Sequence, residues 1–184
     1  MFAQAATITL RILGFKAGPQ DFPYSPQLVQ ALPPLTILVS YFEYGFTLPP
    51  MVAFAQAVAS VAALAFFTHQ LLRLRSLTAR FQQTFSALLA TSIVLTLLLL
   101  PAVAILAPSV QQIAANPDLL GKLEVPALPT LLAAFLSLWN LAVSAHIYRH
   151  ALNIGPGVSV ATALMGAVFI TAFAALAGGL VGSA

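Results

Sequence analysis

The stretch from Thr84 to Ala107 reads TFSALLATSIVLTLLLLPAVAILA and contains no charged side chain. About 20 apolar residues are enough to cross the hydrocarbon core of a bilayer as an α-helix. Because a backbone in lipid has to satisfy its own hydrogen bonds, such a run predicts a transmembrane helix. This one segment therefore places the chain among membrane proteins.

Composition extends that conclusion to the whole chain. Of its 184 residues, 60% are hydrophobic and 6% are charged, whereas an ordinary soluble domain carries about 25% charged residues. A chain of this length has room for about five or six spans with short loops between them. We therefore predict an all-α polytopic membrane protein with a single integral membrane domain over residues 1–184.

Five spans are predicted from the apolar runs. Their approximate bounds are 26–46, 50–72, 84–107, 129–147 and 158–181. Residues 1–16 are too short to span, and they carry Arg11 and Lys16 where a helix lying in the interface meets lipid headgroups. We expect Pro33 and Pro34 to kink or locally unwind the first span. The segment from 108 to 128 is expected to be the largest loop.

The basic residues predict the orientation of these spans, because Lys and Arg are enriched on the cytoplasmic side of membrane proteins. With the N-terminus inside and the C-terminus outside, Lys122 is the basic residue that falls outside. The basic residues that fall inside are Arg11, Lys16, Arg73, Arg75, Arg80 and Arg149. The first fifteen residues have no positive charge ahead of an apolar core, so no cleavable signal peptide is expected.

Several kinds of chemistry are disfavoured by the residues present. The chain has 7 basic residues and 4 acidic ones, too few and too scattered for the basic stripe of a nucleic-acid-binding protein. It has no cysteine, which excludes disulfides and cysteine-ligated metals. No nucleophile with a nearby base, paired carboxylates or phosphate-binding glycine loop is recognisable. We therefore predict no enzyme activity, no cofactor and no nucleic-acid partner.

The last predicted span carries a small residue at every fourth position. These residues are Ala163, Ala167, Thr171, Ala175, Gly179 and Ser183. Small residues at this spacing let two helix backbones approach closely. The stripe is expected to pack either against the protein's own helices or, through Ala167, Thr171, Ala175 and Gly179, against another subunit.

The fourth predicted span carries three polar residues on one face. Ser137, Asn140 and Ser144 are separated by three and four positions. Polar groups at that depth need internal partners or water. One interpretation is hydrogen bonding to Gln56 or Ser60 on the second span, and the alternative is a pathway for a polar solute.

Four ionisable residues near the membrane were considered as sites. Glu43 either has a functional role or lies at the outer headgroup zone, with Tyr41 and Tyr44 as an interfacial aromatic belt. His69, His146 and His150 could hold a metal or haem, or could lie among lipid headgroups as interfacial side chains. A metal site is not predicted, because no carboxylate accompanies the histidines.

The stretch AGPQDFPYSPQLV, residues 17–29, leads into the first span. Pro19 and Pro23 disfavour helix in the residues before them, so the chain is expected to turn there. The same stretch is a candidate cytoplasmic partner surface. Its candidate contact residues are Asp21, Phe22 and Tyr24.

The predicted architecture resembles the Yip membrane-protein family, the Ypt-interacting proteins and their bacterial relatives, over about residues 20–184. The shared features are five spans, a cytoplasmic N-terminal segment leading directly into the first span, and a very short tail. The stretch GPQDFPYSP at 18–26 is also similar to the start of small uncharacterised proteobacterial inner-membrane proteins. The resemblance implies a bacterial inner membrane. It implies no activity, and the family's Asp-Leu-Tyr-Gly-Pro type motif is missing from this chain.

Two functions follow as hypotheses. The first is a non-catalytic accessory, scaffold or assembly subunit, with membrane lipids and other membrane protein subunits as its partners. The second is a small solute transporter or channel with a pathway lined by Ser137, Asn140 and Ser144.

Overall fold

The computed structural model describes residues 2–183, which are all-α and contain no strand. Six α-helices lie in this part of the chain: α1 (Phe2–Leu13), α2 (Pro26–Gly45), α3 (Pro50–Leu74), α4 (Phe81–Ala115), α5 (Ala127–Leu152) and α6 (Pro156–Gly182). Within residues 2–183, α3 to α6 are long and apolar enough to cross a membrane, and α1 is a shorter apolar helix.

Prolines mark where three of the long helices begin. Pro26, Pro50 and Pro156 each occupy the first helical position, where the missing N–H group costs no hydrogen bond. Ser25 is the N-cap residue of α2. The predicted local unwinding of α2 does not occur, because the helix continues through Pro33 and Pro34.

Helix α4 is longer than the predicted third span. The third span was expected to end at residue 107, but α4 continues through Pro108 to Ala115, so the first part of the expected loop is helical. A proline removes one backbone donor without always ending a helix. One hydrogen bond connects this extension to the end of α2: Nε2 of Gln111 donates to the carbonyl oxygen of Phe46 at 2.8 Å.

The five long helices form a closed ring. Around it the order is α2, α3, α6, α5 and α4, since α2 packs against both α3 and α4, α6 packs against α3 and α5, and α4 packs against α5. Contacts across the middle, from α3 to α4 and α5, are sparse. The ring therefore has room for a cavity along its axis.

Most large buried side chains lie at one end of this ring. We call it the closed end: α2, α4 and α6 begin there, and α3 and α5 end there. Its core is one hydrophobic cluster that includes Leu28, Leu72, Leu88, Ile147 and Leu152. The opposite end, where α2, α4 and α6 end, is called the open end.

The N-terminal segment completes the closed end. Helix α1 buries Ala5, Ile8, Thr9 and Ile12 and packs against α4 and α5. The chain then turns through Pro19–Asp21 and inserts Phe22, which is 1% exposed, into the same cluster. The first part of the chain is thus an integral layer of the core.

Candidate functional site

A cavity of about 330 Å³ lies inside the ring and is lined by residues from all five long helices. It extends between Tyr148, near the closed end, and Glu43, near the open end. Its polar lining residues are Thr36, Ser40, Glu43, Tyr44, Ser60, Ser92, Thr96, Ser137, Asn140, Ser144, Tyr148 and Thr171. All five long helices therefore turn at least one polar side chain towards one shared space.

Helical periodicity explains how separate residues converge there. On α2, Thr36, Ser40 and Glu43 follow one another at four and three positions, so they lie on one face. On α4, Ser92 and Thr96 have the same spacing of four. Helices α2, α4 and α5 thus each present several polar side chains to the cavity, and α3 and α6 add Ser60 and Thr171.

The polar stripe also accounts for a difference between α2 and its neighbours. Helix α2 has 20 residues, which is long enough to span, but it is not among the helices that are also sufficiently apolar. Thr36, Ser40 and Glu43 lower its hydropathy, and all three line the cavity. The lower hydropathy of α2 thus arises partly from side chains that line the cavity inside the ring.

Three of the lining hydroxyl groups donate to their own helix. The hydroxyl groups of Thr36, Ser60 and Ser137 each donate to the carbonyl oxygen four residues earlier, at 2.8 Å. Such bonds satisfy a hydroxyl donor within one helix. The oxygen lone pairs remain available to whatever occupies the cavity.

Two tyrosines connect the lining to α3. The hydroxyl of Tyr44 shares a hydrogen bond of 3.2 Å with that of Ser60, which joins α2 to α3. Near the closed end, the hydroxyl of Tyr148 shares a bond of 3.0 Å with that of Thr68, which is fully buried. Phe67 packs edge-on against the Tyr148 ring. The contacts with Thr68 and Phe67 fix the side chain of Tyr148 at the end of the cavity that lies nearer the closed end.

Glu43 and Asn140 differ from the other polar lining residues. Within residues 2–183 the structure shows no hydrogen bond or ion pair from either side chain. Among the lining residues, all in the described part of the chain, Glu43 is the one with a formal charge. The cavity therefore combines one carboxyl group and one free amide with a surrounding of hydroxyl groups.

The residues of the predicted solute pathway come together here. Ser137, Asn140 and Ser144 all line the cavity. The alternative, hydrogen bonds from these residues to Gln56 or Ser60, is not seen among the described residues, since Ser60 bonds Tyr44 and its own helix.

The small-residue stripe of α6 does not pack as one unit. Ala163 is buried, but Ala167 and Thr171 are exposed and line the cavity. Ala175 and Gly179 are exposed, and nothing lies near Gly179. The expectation that the whole stripe packs against the protein's own helices is thus wrong for its outer part.

A neighbouring stripe of α6 makes the close contact instead. A Cβ atom at Gly166 would lie 2.8 Å from Cε1 of Phe67 on α3. A Cβ atom at Gly178 would clash with Nε2 of Gln56, also on α3. These glycines let α3 and α6 approach closely, as small residues do in membrane helix pairs.

The N-terminal candidate residues have different environments. The carboxylate of Asp21 accepts a hydrogen bond from the N–H group of Gly18 at 2.8 Å. Nε2 of Gln83 on α4 donates to the carbonyl oxygens of Gln20 and Phe22 at 3.2 and 2.9 Å. Phe22 is a core residue. Tyr24, 71% exposed, is the most accessible of the three candidates.

The histidines take part in local structure. Nε2 of His146 lies 3.0 Å from the carbonyl oxygen of Ala17, and Nδ1 of His150 lies 2.9 Å from that of His146. His69 packs edge-on against Phe81. In residues 2–183 no group of three potential ligands among His, Cys, Asp and Glu could hold a metal ion.

A second cavity, of about 250 Å³, lies at the closed end beside Arg80 and His150. Nη1 of Arg80 donates to the carbonyl oxygens of Ala151 and His150 at 3.0 and 3.4 Å. A cation at the C-terminal end of a helix satisfies free carbonyl groups and the helix dipole. This arrangement anchors the end of α5 to the start of α4.

Sequence reasoning missed the lining residues on α2 and α4. Thr36, Ser40, Ser92 and Thr96 were not singled out, although hydroxyl residues four positions apart in apolar helices were visible. That spacing indicates a shared face, but it does not indicate what the face contacts.

No protein-family model, curated protein or solved structure matches this chain. Function is therefore inferred from the cavity and from the exposed faces of the helices.

Proposed function

We propose that this protein is a small membrane protein that holds a polar solute inside its helix ring, as part of a pathway for that solute across a bacterial inner membrane. The observation that supports this function is the convergence of polar side chains from all five long helices on one cavity. Polar side chains in membrane helices are costly unless they serve partners, water or a solute.

The proposal includes five spans, with α2 as the least apolar of them. The closed end is cytoplasmic and the open end is external, so the N-terminus is inside and the C-terminus outside. Basic residues support this orientation. Arg11 and Lys16 flank the end of α1, Arg73 and Arg75 lie at the end of α3, and Lys122 lies between α4 and α5.

The dimensions of the cavity limit its occupant. A volume of about 330 Å³ is near the lower end of ligand sites, which are about 300–1,000 Å³. The occupant is then a small molecule with polar groups. Asn140 offers both an amide donor and an acceptor for such a molecule.

We also propose that the protein does not catalyse a reaction. The hydroxyl groups of Thr36, Ser60 and Ser137 donate to backbone carbonyl oxygens, and no histidine lies among the lining residues that the structure describes. Activation of a hydroxyl nucleophile needs a base within hydrogen-bond reach.

The test uses the fact that the chain contains no cysteine. Ser144→Cys introduces a thiol at the cavity, and Leu138→Cys introduces one on the same helix at a side chain that is 67% exposed and outside the lining. In native membranes a water-soluble thiol reagent should modify the first variant at least about tenfold faster, because thiolate forms in water and not in lipid. Equal rates, or an unreactive Ser144→Cys, would contradict a water-accessible cavity.

A flux measurement extends this test to transport. Asn140→Leu places an apolar side chain in the lining and should abolish the uptake of small polar solutes into proteoliposomes. Leu138→Ala, on the lipid side of α5, is the matched control and should leave uptake unchanged. Uptake that survives Asn140→Leu would count against a pathway through this cavity.

A second function, as an accessory or assembly subunit of a larger membrane complex, is supported by a different observation. In the most apolar stretches of α5 and α6, 11% and 17% of the residues are buried, against 33% and 39% in those of α3 and α4. Ala175 and Gly179 form part of the exposed surface of α6. Exposed small residues on a membrane helix suit a second helix as well as lipid. The Yip-like resemblance belongs with this proposal.

Co-purification tests the second function. Extraction in a mild detergent followed by a native gel should show a complex heavier than the protein with its micelle. Ala175→Leu combined with Gly179→Leu should dissociate that complex. Asp21→Ala combined with Tyr24→Ala tests the N-terminal surface in the same way. Migration of the wild type at its own mass, without a partner, would exclude the accessory role.

A further inference from the structure

The charge of the central cavity is unbalanced. Glu43 is its one formally charged lining residue, and no Lys, Arg or His side chain is found among the lining residues that the structure describes. Glu43 lies on the same face of α2 as Thr36 and Ser40, so it is turned towards the cavity and away from lipid. The one lining group that can carry a charge is therefore a carboxyl group.

A carboxylate in such a place needs compensation. Glu43 is half-buried, and moving an ionised carboxylate out of water is unfavourable unless the charge is paired or the group is protonated. Within residues 2–183 no side chain is placed to pair with Glu43. A positively charged occupant of the cavity would supply that missing partner.

The hydroxyl groups add to the same preference. Since Thr36, Ser60 and Ser137 use their hydrogens in bonds to backbone carbonyl groups, they offer only lone pairs to the cavity. The carboxylate of Glu43 likewise accepts hydrogen bonds and donates none when ionised. These acceptors suit a ligand that carries N–H donors, while Asn140 and the remaining lining hydroxyl groups can also donate to it.

Size and aromatic rings favour an organic cation over a metal ion. A space of about 330 Å³ is much larger than a dehydrated alkali ion. Tyr44, the sequence neighbour of Glu43, also lines it, and aromatic side chains attract ammonium groups by cation–π interaction. Both features suit an ammonium group on a small carbon skeleton.

We propose that the cavity is a site for a small organic cation with an ammonium group, paired with the carboxylate of Glu43 and hydrogen-bonded by the surrounding hydroxyl oxygens. This inference rests on the proposed function and names the class of its solute. It assigns to Glu43 the role of the charge-selecting residue.

The test compares two thiol reagents of opposite charge on Ser144→Cys. Aminoethyl methanethiosulfonate is a cation, and sulfonatoethyl methanethiosulfonate is an anion of similar size. The ratio of their rates, divided by the ratio for a free cysteine in water, should exceed about 10, because a charged cavity raises the local concentration of its counter-ion by that order. Adding Glu43→Gln should return the corrected ratio to about 1.

A protection experiment checks binding without changing Glu43. Ethylammonium should slow the modification of Ser144→Cys by the neutral reagent methyl methanethiosulfonate, whereas acetamide at the same concentration should slow it less. Glu43→Asp keeps the charge and should keep protection, and Glu43→Gln should lose it. Glu124→Gln, which changes an exposed acid in the loop before α5, is the matched control. In this variant ethylammonium should slow the modification of Ser144→Cys as much as it does in the parent.

The outcomes separate this inference from the proposed function. If both charged reagents react and the corrected ratio stays near 1 with Glu43 present, the cation site is overturned while the water-accessible cavity stands. Protection by sodium ions equal to that by ethylammonium would overturn the organic character of the ligand. If no reagent modifies Ser144→Cys, the proposed function itself fails.

Discussion

The two ends of the helix ring bury different kinds of side chain. At the closed end, Leu28, Leu72 and Ile147 pack with Phe22 from the N-terminal segment into one cluster. Towards the open end, the outermost buried residues of α2 and α5 are Val39 and Leu136, whereas those of α3, α4 and α6 are alanines and one glycine. They are Ala53, Ala57, Ala102, Ala107, Ala174 and Gly178.

This difference indicates that the closed end contributes mainly to stability and that the cavity contributes to binding. Large interlocking side chains at the closed end exclude solvent and fix the helix positions. Small buried residues near the open end let the helix backbones lie close together. The cavity lies between that end and Tyr148. We expect substitutions at the closed end to reduce stability and substitutions in the cavity to change binding.

The largest effect is expected at Phe22. Phe22→Ala removes a side chain that is 1% exposed in the closed-end core, and such truncations cost about 3–5 kcal/mol. The thermal unfolding midpoint in detergent should fall accordingly. Tyr24→Ala, two residues later and 71% exposed, is the control and should change the midpoint little. Similar losses from both variants would show that the closed end is not a packed core.

A smaller effect is expected where α6 crosses α3. Gly166→Val places a side chain against Phe67, to which even a Cβ atom would approach within 2.8 Å, and overpacking of this kind costs about 1–3 kcal/mol. Gly179→Val meets no neighbour and should be tolerated. Thermal unfolding of the two variants in the same detergent measures the difference. A larger loss of stability from Gly179→Val than from Gly166→Val would mean that the predicted stripe with Gly179 packs inside the protein, and that the neighbouring stripe with Gly166 does not.

The last comparison concerns two threonines, and it includes the smallest expected effect. Thr68→Val leaves the hydroxyl of Tyr148, itself 3% exposed, without its partner and should cost about 1–3 kcal/mol. Thr96→Val changes a residue that lines the cavity and should stay within about 0.5 kcal/mol. Unfolding by denaturant can resolve the two. A large loss from Thr96→Val would indicate that its hydroxyl supports the fold.

Much of the architecture could be predicted because lipid imposes simple demands on length. Apolar runs of about 20 residues predict spanning helices. The runs that predicted α3 and α6 correspond to Pro50–Leu74 and Pro156–Gly182. The end of α4 was less predictable, because Pro108 is tolerated inside a helix whose extension is held by Gln111.

The candidate site could be predicted only in part. Ser137, Asn140 and Ser144 share a helical face, and that face lines the cavity. The role of Phe22 was misjudged, since an aromatic residue in a proline-rich turn suits a partner surface as well as a core.

The sequence by itself determined an all-α membrane protein, the approximate bounds of its long helices and one of the polar stripes. Only the tertiary structure decided that polar side chains from five helices meet in one cavity, that Gly166 and Gly178 lie at the close contact of α6 with α3, and that Phe22 is buried. The physical reason is that lipid is as apolar as a protein interior. Hydropathy therefore distinguishes membrane from water, but it does not show which side of a membrane helix faces lipid and which faces another helix.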